Sequence, residues 1–148
     1  MGYDPSIRNG VLKGPSRGLQ TNYPNASGST LAMGQFVSIN TSSQIAALNV
    51  SDEVSVLAMV GVASMSIPNA ATGGVYSGGR LEQITQSFAL GDAIYVGKDG
   101  MVSNVKPDYE VGGFVTGDFV IFVGVVVKNE FDVTKKDIQL MISVIGQL

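Results

Sequence analysis

Short apolar runs separated by turn residues recur along the chain from Leu31 onward, and this pattern is typical of β-strands. The clearest unit is the stretch Phe88–Ser103. Its residues 94–96 (Ile-Tyr-Val) are strand formers, and Asp99-Gly100 is a dipeptide favoured in tight hairpin turns. The apolar run then resumes at Met101. The stretch therefore predicts a complete strand, turn and strand.

Further apolar runs predict the remaining strands. The segment Gln44–Leu48 fits either a short strand or a single helical turn, and 119–127 is apolar enough to be a strand buried on both faces. The other predicted strands are Phe36–Ile39, Glu53–Ala63, Val111–Val115 and Ile138–Ile145.

Two segments in the middle of the chain have weaker patterns. The stretch Pro68–Gly79 is rich in glycine and predicts an exposed loop between two halves of the protein. It lacks the Gly-Lys-Ser/Thr ending of a phosphate-binding loop and the spacing of a dinucleotide fingerprint. The segment Arg80–Ser87 is predicted to be extended, because it leads directly into the hairpin unit.

The strand pattern contains an internal repeat. Residues 31–39 agree in character with residues 88–96, and residues 59–63 (Met-Val-Gly-Val-Ala) agree with residues 122–126 (Phe-Val-Gly-Val-Val). Such a repeat predicts an all-β fold, a small β-barrel or sandwich with an internal duplicated β unit, whose copies span about 31–67 and 88–145. A strand glycine in each Val-Gly-Val is expected where a neighbouring backbone or ring comes close.

Residues 1–28 differ from the rest of the chain. Prolines, glycines and a lack of regular apolar spacing predict an extended N-terminal arm, followed by one β domain over 29–148. The arm has a net charge of +2, because it contains Arg8, Lys13 and Arg17 and one acidic residue, Asp4. The remainder of the chain carries −5, which gives the net charge of −3. The arm fits a solvated tail or a segment that becomes ordered on an acidic neighbouring subunit.

The composition argues against catalysis. The chain has no histidine, cysteine or tryptophan, so it has no disulfides, no thiolate metal ligands and no imidazole base. Three carboxylate sets (Asp52 with Glu53, Asp108 with Glu110, and Asp132 with Asp137) lie in polar, turn-like segments where solvated charges are expected. We therefore expect no enzyme activity, no catalytic residue, no metal and no cofactor.

Nucleic acid and membrane are also unexpected partners. Basic residues cluster only in the arm and at Lys135-Lys136, while the isoelectric point near 4.7 opposes tight contact with phosphates. The longest apolar run, between Val111 and Val127, is too short and too rich in glycine to span a bilayer.

The motif Leu90-Gly-Asp-Ala-Ile-Tyr-Val96, the turn at Asp99-Gly100, and the later Val123-Gly-Val-Val126 resemble small β-barrel proteins of tailed bacteriophages, namely capsid decoration (cement) proteins and head-fibre bases. The resemblance covers about residues 88–145. It implies a structural virion protein, made in the host cytoplasm, that binds the outer surface of the capsid lattice and stabilises it by bridging capsid subunits.

The same resemblance implies that the partner is the major capsid protein and that the chain is a homo-oligomer, a dimer or a trimer. In the arm, Arg8, Lys13 and Arg17 would pair with capsid carboxylates, and Tyr3, Leu12 and Tyr23 would act as apolar anchors. Two alternatives stay open: a phage tail, baseplate or adaptor subunit, and a carbohydrate-binding β module with Tyr76, Tyr95 and Tyr109 as stacking residues.

Overall fold

The computed structural model describes residues 20–148, which form two antiparallel five-stranded sheets and one short helix. The expected all-β fold is confirmed. The first sheet has the spatial order β1-β5-β4-β2-β3 and contains β1 (Gln20–Pro24), β2 (Phe36–Ile39), β3 (Ile45–Ala47), β4 (Met59–Ala63) and β5 (Thr72–Tyr76). The second has the order β6-β10-β9-β7-β8 and contains β6 (Gly79–Leu81), β7 (Ala93–Val96), β8 (Val102–Ser103), β9 (Phe119–Lys128) and β10 (Lys136–Gln147). The helix α1 (Glu53–Leu57) precedes β4.

The two sheets are copies of one unit. Both follow the same strand order, and their registers agree residue by residue, since Val37 lies opposite Gly61 in the first half and Ile94 lies opposite Gly124 in the second. A register shift follows immediately after each of these pairs, between the second and fourth strands of each unit. The duplication predicted from the sequence is thus present in the structure, and it includes all five strands of each half.

The strand glycine of each Val-Gly-Val motif lies where two backbones come close. Gly61 has φ +145° and Gly124 has φ +155°, a region that residues with a Cβ rarely adopt. A Cβ at Gly61 would overlap the carbonyl oxygen of Tyr76, and a Cβ at Gly124 would overlap that of Gln139. The expected close approach is confirmed at equivalent positions in both halves.

The end of the predicted arm belongs to the first sheet. Residues 20–24 form β1, which pairs with β5, and Asn25 is buried, with its amide donating to the carbonyl oxygens of Ser29 and Ile67. The sequence pattern missed this strand because three of its first four side chains are polar and the fourth, Tyr23, is only half-buried. Residues 1–19, the rest of the predicted arm, lie outside the described residues.

The stretch predicted as a glycine-rich loop contains β5. This strand lies between β1 and β4, and its glycines make room for side chains that cross them. Ile67 covers Gly73 so closely that a Cβ would overlap it, and Gln20 occupies the same place over Gly74. The glycines are therefore a packing requirement within a strand.

The predicted strand over Glu53–Ala63 is half wrong. Residues 53–57 form α1, because Asp52 caps the helix by accepting a 3.0 Å hydrogen bond from the Val54 N–H, and the strand starts only at Met59. Local capping thus overrides the strand preference of the two valines in this segment.

Three other predictions need correction. The segment Val111–Val115 is a turn, since Gly112-Gly113 interrupts the run, and Phe114 N–H bonds back to the Val111 carbonyl. Of Arg80–Ser87, only the first two residues belong to a strand. The strand β9 is buried on one face, while Phe122 and Val125 on its other face are half-buried. Of the two alternatives for Gln44–Leu48, the strand is correct.

The core lies mainly between the two halves. One face of the first sheet packs within its own half, around Val37 and Ala63. Its other face joins a larger cluster with the second half, where Phe36 and Val62 are fully buried. Alternation along β2 and β4 sends neighbouring residues into different clusters, so the first sheet is covered on both faces.

The β7–β8 hairpin fastens the second half to the first. The Phe36 N–H donates to the Gly100 carbonyl at 2.8 Å, and the Val102 N–H donates to the Gly34 carbonyl at 3.2 Å. Gln35 adds a side-chain bond to the Asp99 carbonyl at 3.2 Å. The hairpin that is clearest in the sequence therefore supplies backbone hydrogen bonds between the two units.

Replacing Gly124 by alanine should lower the free energy of unfolding by at least about 3 kcal/mol, because the new Cβ meets backbone that cannot move aside. At about 2–4 °C per kcal/mol, thermal unfolding monitored by circular dichroism would show a clear drop in Tm. The matched control is Gly117→Ala, which also has positive φ but has no atom within 4 Å of the new Cβ, and should lose only about 1 kcal/mol. Equal losses in the two variants would refute the close approach.

Candidate interaction surfaces

The residues predicted to bind a partner lie mostly outside the described residues. Arg8, Lys13, Arg17, Tyr3 and Leu12 all belong to residues 1–19, so their roles stay predictions. The sixth residue, Tyr23, lies in β1, is half-buried and packs against the apolar cluster of the first half. Its contact with a partner also stays a prediction, and within the chain it contributes to the core.

The candidate carboxylates have local structural roles. Asp52 caps α1, and Asp108 accepts a 2.7 Å hydrogen bond from the Tyr109 N–H. Asp132 accepts bonds from the N–H and hydroxyl of Thr134, and these bonds hold the pKa of Asp132 below its usual value. Each of these carboxylates is thus occupied by the turn or helix in which it lies.

The fourth carboxylate, Asp137, organises a buried polar cluster at the end of the β9–β10 hairpin. Its side chain is fully buried and accepts bonds from the Gln83 N–H at 2.9 Å and the Asn129 amide at 3.0 Å. Arg80 forms an ion pair with it at 3.4 Å and also donates to the Lys128 carbonyl at 3.0 Å. Because charge and hydrogen-bonding capacity are both satisfied, the cluster fixes the loop that follows β9.

A second buried cluster joins the two halves. Asp118, almost fully buried, accepts bonds from Lys98 at 2.5 Å, from the Ser51 hydroxyl at 2.6 Å and from the Val115 N–H at 2.9 Å. Lys98 also donates to the Ser51 oxygen at 2.6 Å. A serine beside a lysine is the pattern of one class of nucleophilic site, but here the lysine is paired with a carboxylate. Ser51 comes from the first half and its partners from the second, so the cluster links the units.

The pKa of Asp118 follows from its surroundings. Burial raises the pKa, but the bonds from Lys98, Ser51 and the Val115 N–H favour the charged form and outweigh burial, so the pKa lies below its usual value. The ionised carboxylate therefore stabilises the fold above the pKa of the unfolded chain. That stabilisation is lost as the pH falls through the lower pKa of the folded state.

The described residues offer little for a metal or a small ligand. Within residues 20–148 no group of three or more acidic, histidine or cysteine side chains is placed to hold a metal ion. A cleft of about 450 Å³ beside the β7–β8 hairpin is lined by Lys98, Lys106, Val111 and Phe114 among others. Lys98 lies 6.0 Å from the Phe114 ring centre and is already paired with Asp118, so its charge serves the fold.

The loop between β9 and β10 displays two large apolar side chains. Phe131 is 72% exposed and Val133 is 76% exposed. The loop is held firmly, since the Asn129 side chain accepts bonds from the N–H groups of Phe131 and Asp132, and Asn129 N–H donates to the Lys135 carbonyl at 3.1 Å. We call residues 129–135 the apolar loop. The sequence shows it only as two large apolar residues inside a polar turn, a signal that the pattern analysis overlooked.

A second apolar surface lies along the end of β10. Beyond Leu140 the neighbouring strand β6 has ended, and within residues 20–148 the strand β10 continues with β9 as its single partner. Met141, Val144 and Ile145 on this segment are each about half exposed. An open strand edge with apolar side chains is a common place for contact with another chain.

The three tyrosines considered for carbohydrate stacking are in different settings. Tyr76 is half-buried against the shared core, and Tyr95 is half-buried with its ring edge-on to Phe122 at 5.7 Å. Only Tyr109 is largely exposed, at 56%. Tyr76 and Tyr95 belong to different sheets, so the three do not share one strand or loop.

Comparison with protein-family models, with curated proteins and with solved structures finds no match to this chain. In the described part of the chain, no helix has both the length and the apolar content needed to cross a bilayer.

Replacing Asp118 by asparagine should lower the free energy of unfolding at pH 7 by about 2–4 kcal/mol, because the charge partner of Lys98 is removed. Denaturant titrations between pH 7 and pH 2 should also show a shallower loss of stability in acid than the parent chain shows. Asp108→Asn, in an exposed turn, is the control and should keep the parent's pH dependence. An unchanged acid profile in Asp118→Asn would contradict the assignment.

Proposed function

We propose that this chain is a structural protein of a bacteriophage particle, which binds the outer surface of the capsid lattice and stabilises it by bridging capsid subunits. The observation that carries the proposal is the apolar loop, whose two large side chains are exposed on a firmly held backbone. A bridging protein needs such preformed contacts, because it must bind without a large loss of conformational freedom.

The geometry of the apolar loop suits docking. Asn129 and Asp137 hold its base, and both are buried, so the tip can be pressed against a partner without disturbing the fold. Phe131 is an aromatic residue of the kind that dominates binding energy at protein interfaces. A partner surface that covered both side chains would remove apolar area from water, which is favourable.

The resemblance to phage decoration proteins supplies the class of partner. The motif Leu90–Val96 contains the whole of β7, and Val123–Val126 lies in β9, which is paired with β7. Residues that resemble the family in sequence are thus neighbours in one sheet. This placement supports a shared scaffold, and the capsid lattice as partner remains part of the proposal.

The charge distribution adds a role for residues 1–28. The net charge of residues 1–28 is +2, and that of the remainder is −5. Residues 1–28 would therefore be attracted to a negatively charged surface, and the remainder to a positively charged one. In the proposal, Arg8, Lys13 and Arg17 pair with capsid carboxylates while the apolar loop supplies desolvated contacts. Electrostatic attraction then guides the approach, and the apolar contacts slow dissociation.

Copy number tests the location directly. Quantitative mass spectrometry on purified particles from the source of the chain should give one copy per shell subunit, or one per few shell subunits. A handful of copies per particle would instead identify a tail, baseplate or adaptor subunit. Absence from particles would overturn the proposal.

The docking residues are tested with particles that lack the protein. Co-sedimentation of the double variant Phe131→Ser with Val133→Ser should show at least about tenfold weaker binding than the parent chain. The matched control, Met65→Ser with Val115→Ser, removes two other exposed apolar side chains and should bind as the parent does. A chain lacking residues 1–19 should bind more weakly and lose part of its salt dependence. Equal binding by the loop variant and its control would remove the apolar loop from the mechanism.

A further inference from the structure

The second half contains an uncovered site whose counterpart in the first half is already covered by another part of the chain. In the first half, the start of β2 is covered by the β7–β8 hairpin, and both Phe36 and Val62 are fully buried there. The counterparts of these residues in the second half are Ala93 and Val125, which lie opposite each other in β7 and β9. Both are only half-buried, because residues 20–148 contain no third unit that would cover them.

The backbone that surrounds this site is the same in both halves. In the first half, Gly34 N–H donates to the Ala63 carbonyl at 2.9 Å, and Ala63 N–H donates to the Gln35 carbonyl at 2.8 Å. In the second half, Gly91 N–H donates to the Val126 carbonyl at 2.9 Å, and Val126 N–H donates to the Asp92 carbonyl at 3.0 Å. Each half therefore contains the same backbone arrangement at the site where a hairpin docks.

One edge of the second site is open. In the first half, Leu48 N–H closes the edge of β2 by donating to the Phe36 carbonyl at 2.9 Å. Its counterpart Val105 is 53% exposed and gives its N–H to the Ser103 hydroxyl instead. The strand β8 pairs with residues 95 and 96 only, so it does not reach Ala93. Backbone N–H groups along an antiparallel strand point alternately toward one neighbouring strand and the other. The Phe36 N–H therefore points away from β4, and the equivalent Ala93 N–H points away from β9.

The matching hairpin is also built twice. In the docked β7–β8 hairpin, Gly97 N–H donates to the Met101 carbonyl at 2.7 Å, and Gly100 has φ +80°. In the β2–β3 hairpin, Asn40 N–H donates to the Gln44 carbonyl at 2.9 Å, and Ser43 has φ +60°. The two turns share the same hydrogen bond and a positive φ at the same position, yet residues 40–43 are exposed while Gly100 is buried.

Apolar side chains lie beside this free hairpin. The cleft next to Asn40 and Thr41 is also lined by Val54, which is 73% exposed, and Leu57 on the same helix is 79% exposed. The helix α1 is the counterpart, in the first half, of the start of β9 in the second half. The start of β9 contacts the first half, since Phe119 N–H donates to the Val50 carbonyl at 2.9 Å. The free hairpin and α1 thus form a surface equivalent to the one already used inside the chain.

We propose that a second copy of this chain docks by its β2–β3 hairpin and α1 onto Ala93, Val105 and Val125 of the first copy. The contact repeats between chains the arrangement that joins the two halves within a chain. The contact is heterologous, because it joins two different surfaces of the two copies. Repeated contacts of this kind form a closed ring if the rotation between neighbouring copies closes, and a filament if it does not. The inference goes beyond the proposed function and does not depend on it, because it is argued from contacts within the chain alone.

Cysteine cross-linking tests the contact, since the chain has no cysteine of its own. Purified Ser43→Cys and Ala93→Cys chains, mixed and exposed to a mild oxidant, should form a disulfide-linked dimer. The counterparts Gly100 and Phe36 are joined by a 2.8 Å backbone hydrogen bond, so the contact would bring the backbones of residues 43 and 93 together. Each single variant alone should give at least tenfold less dimer, because a head-to-tail contact never places the same residue opposite itself.

The control mixture pairs Ser43→Cys with Met65→Cys, an exposed position after β4 in the first half that lies outside the proposed contact on the second half. Equal dimer yields in the two mixtures would overturn the inference, and so would equal yields from Ser43→Cys alone. Sedimentation velocity of the unmodified chain provides a measurement without cysteines, and it should show assembly. The double variant Val54→Glu with Leu57→Glu should abolish this assembly. The variant Val133→Glu should leave it intact. A monomer at all concentrations up to the millimolar range would equally refute the contact. None of these tests needs a particle, so their failure is separate from that of the proposed function.

Discussion

The structure depends on the close approach of two backbones at Gly61 and at Gly124. At each position the fourth strand of a unit presses against its fifth, and an adjacent register shift bends the strand. One face of the first sheet packs within its own half, and its other face packs against the second half. A side chain at either glycine would collide with the backbone of the neighbouring strand, so this close approach requires glycine.

Sequence patterns predicted the features that rest on local chemistry. The hairpin at Asp99-Gly100, the strand glycines and the repeat are all visible, because turn residues and β-branched runs act over a few positions. What the patterns missed depends on partners that lie far along the chain. The polar strand β1 exists because β5 is beside it, and the glycines of β5 are explained only by Ile67 and Gln20. The helix α1 was hidden for a different reason, since one capping aspartate outweighs a short run of valines.

The candidate surfaces were harder to predict than the fold. Phe131 and Val133 lie in a turn that composition marks as polar, and only the bonds to Asn129 show that their exposure is fixed. The open site at Ala93 has no sequence signature at all. It becomes visible only when the two halves are compared, because the same backbone is covered in one half and uncovered in the other.

The connection between the two halves has a mechanical consequence. Only Ser77 and Gly78 lie between β5 and β6, and the shared core with its Ser51, Lys98 and Asp118 cluster closes the space that a swinging motion would need. Within residues 20–148, the two sheets are therefore not joined by a hinge. A force applied to one sheet is carried into the other through packed side chains, so this part of the chain resists bending between the sheets.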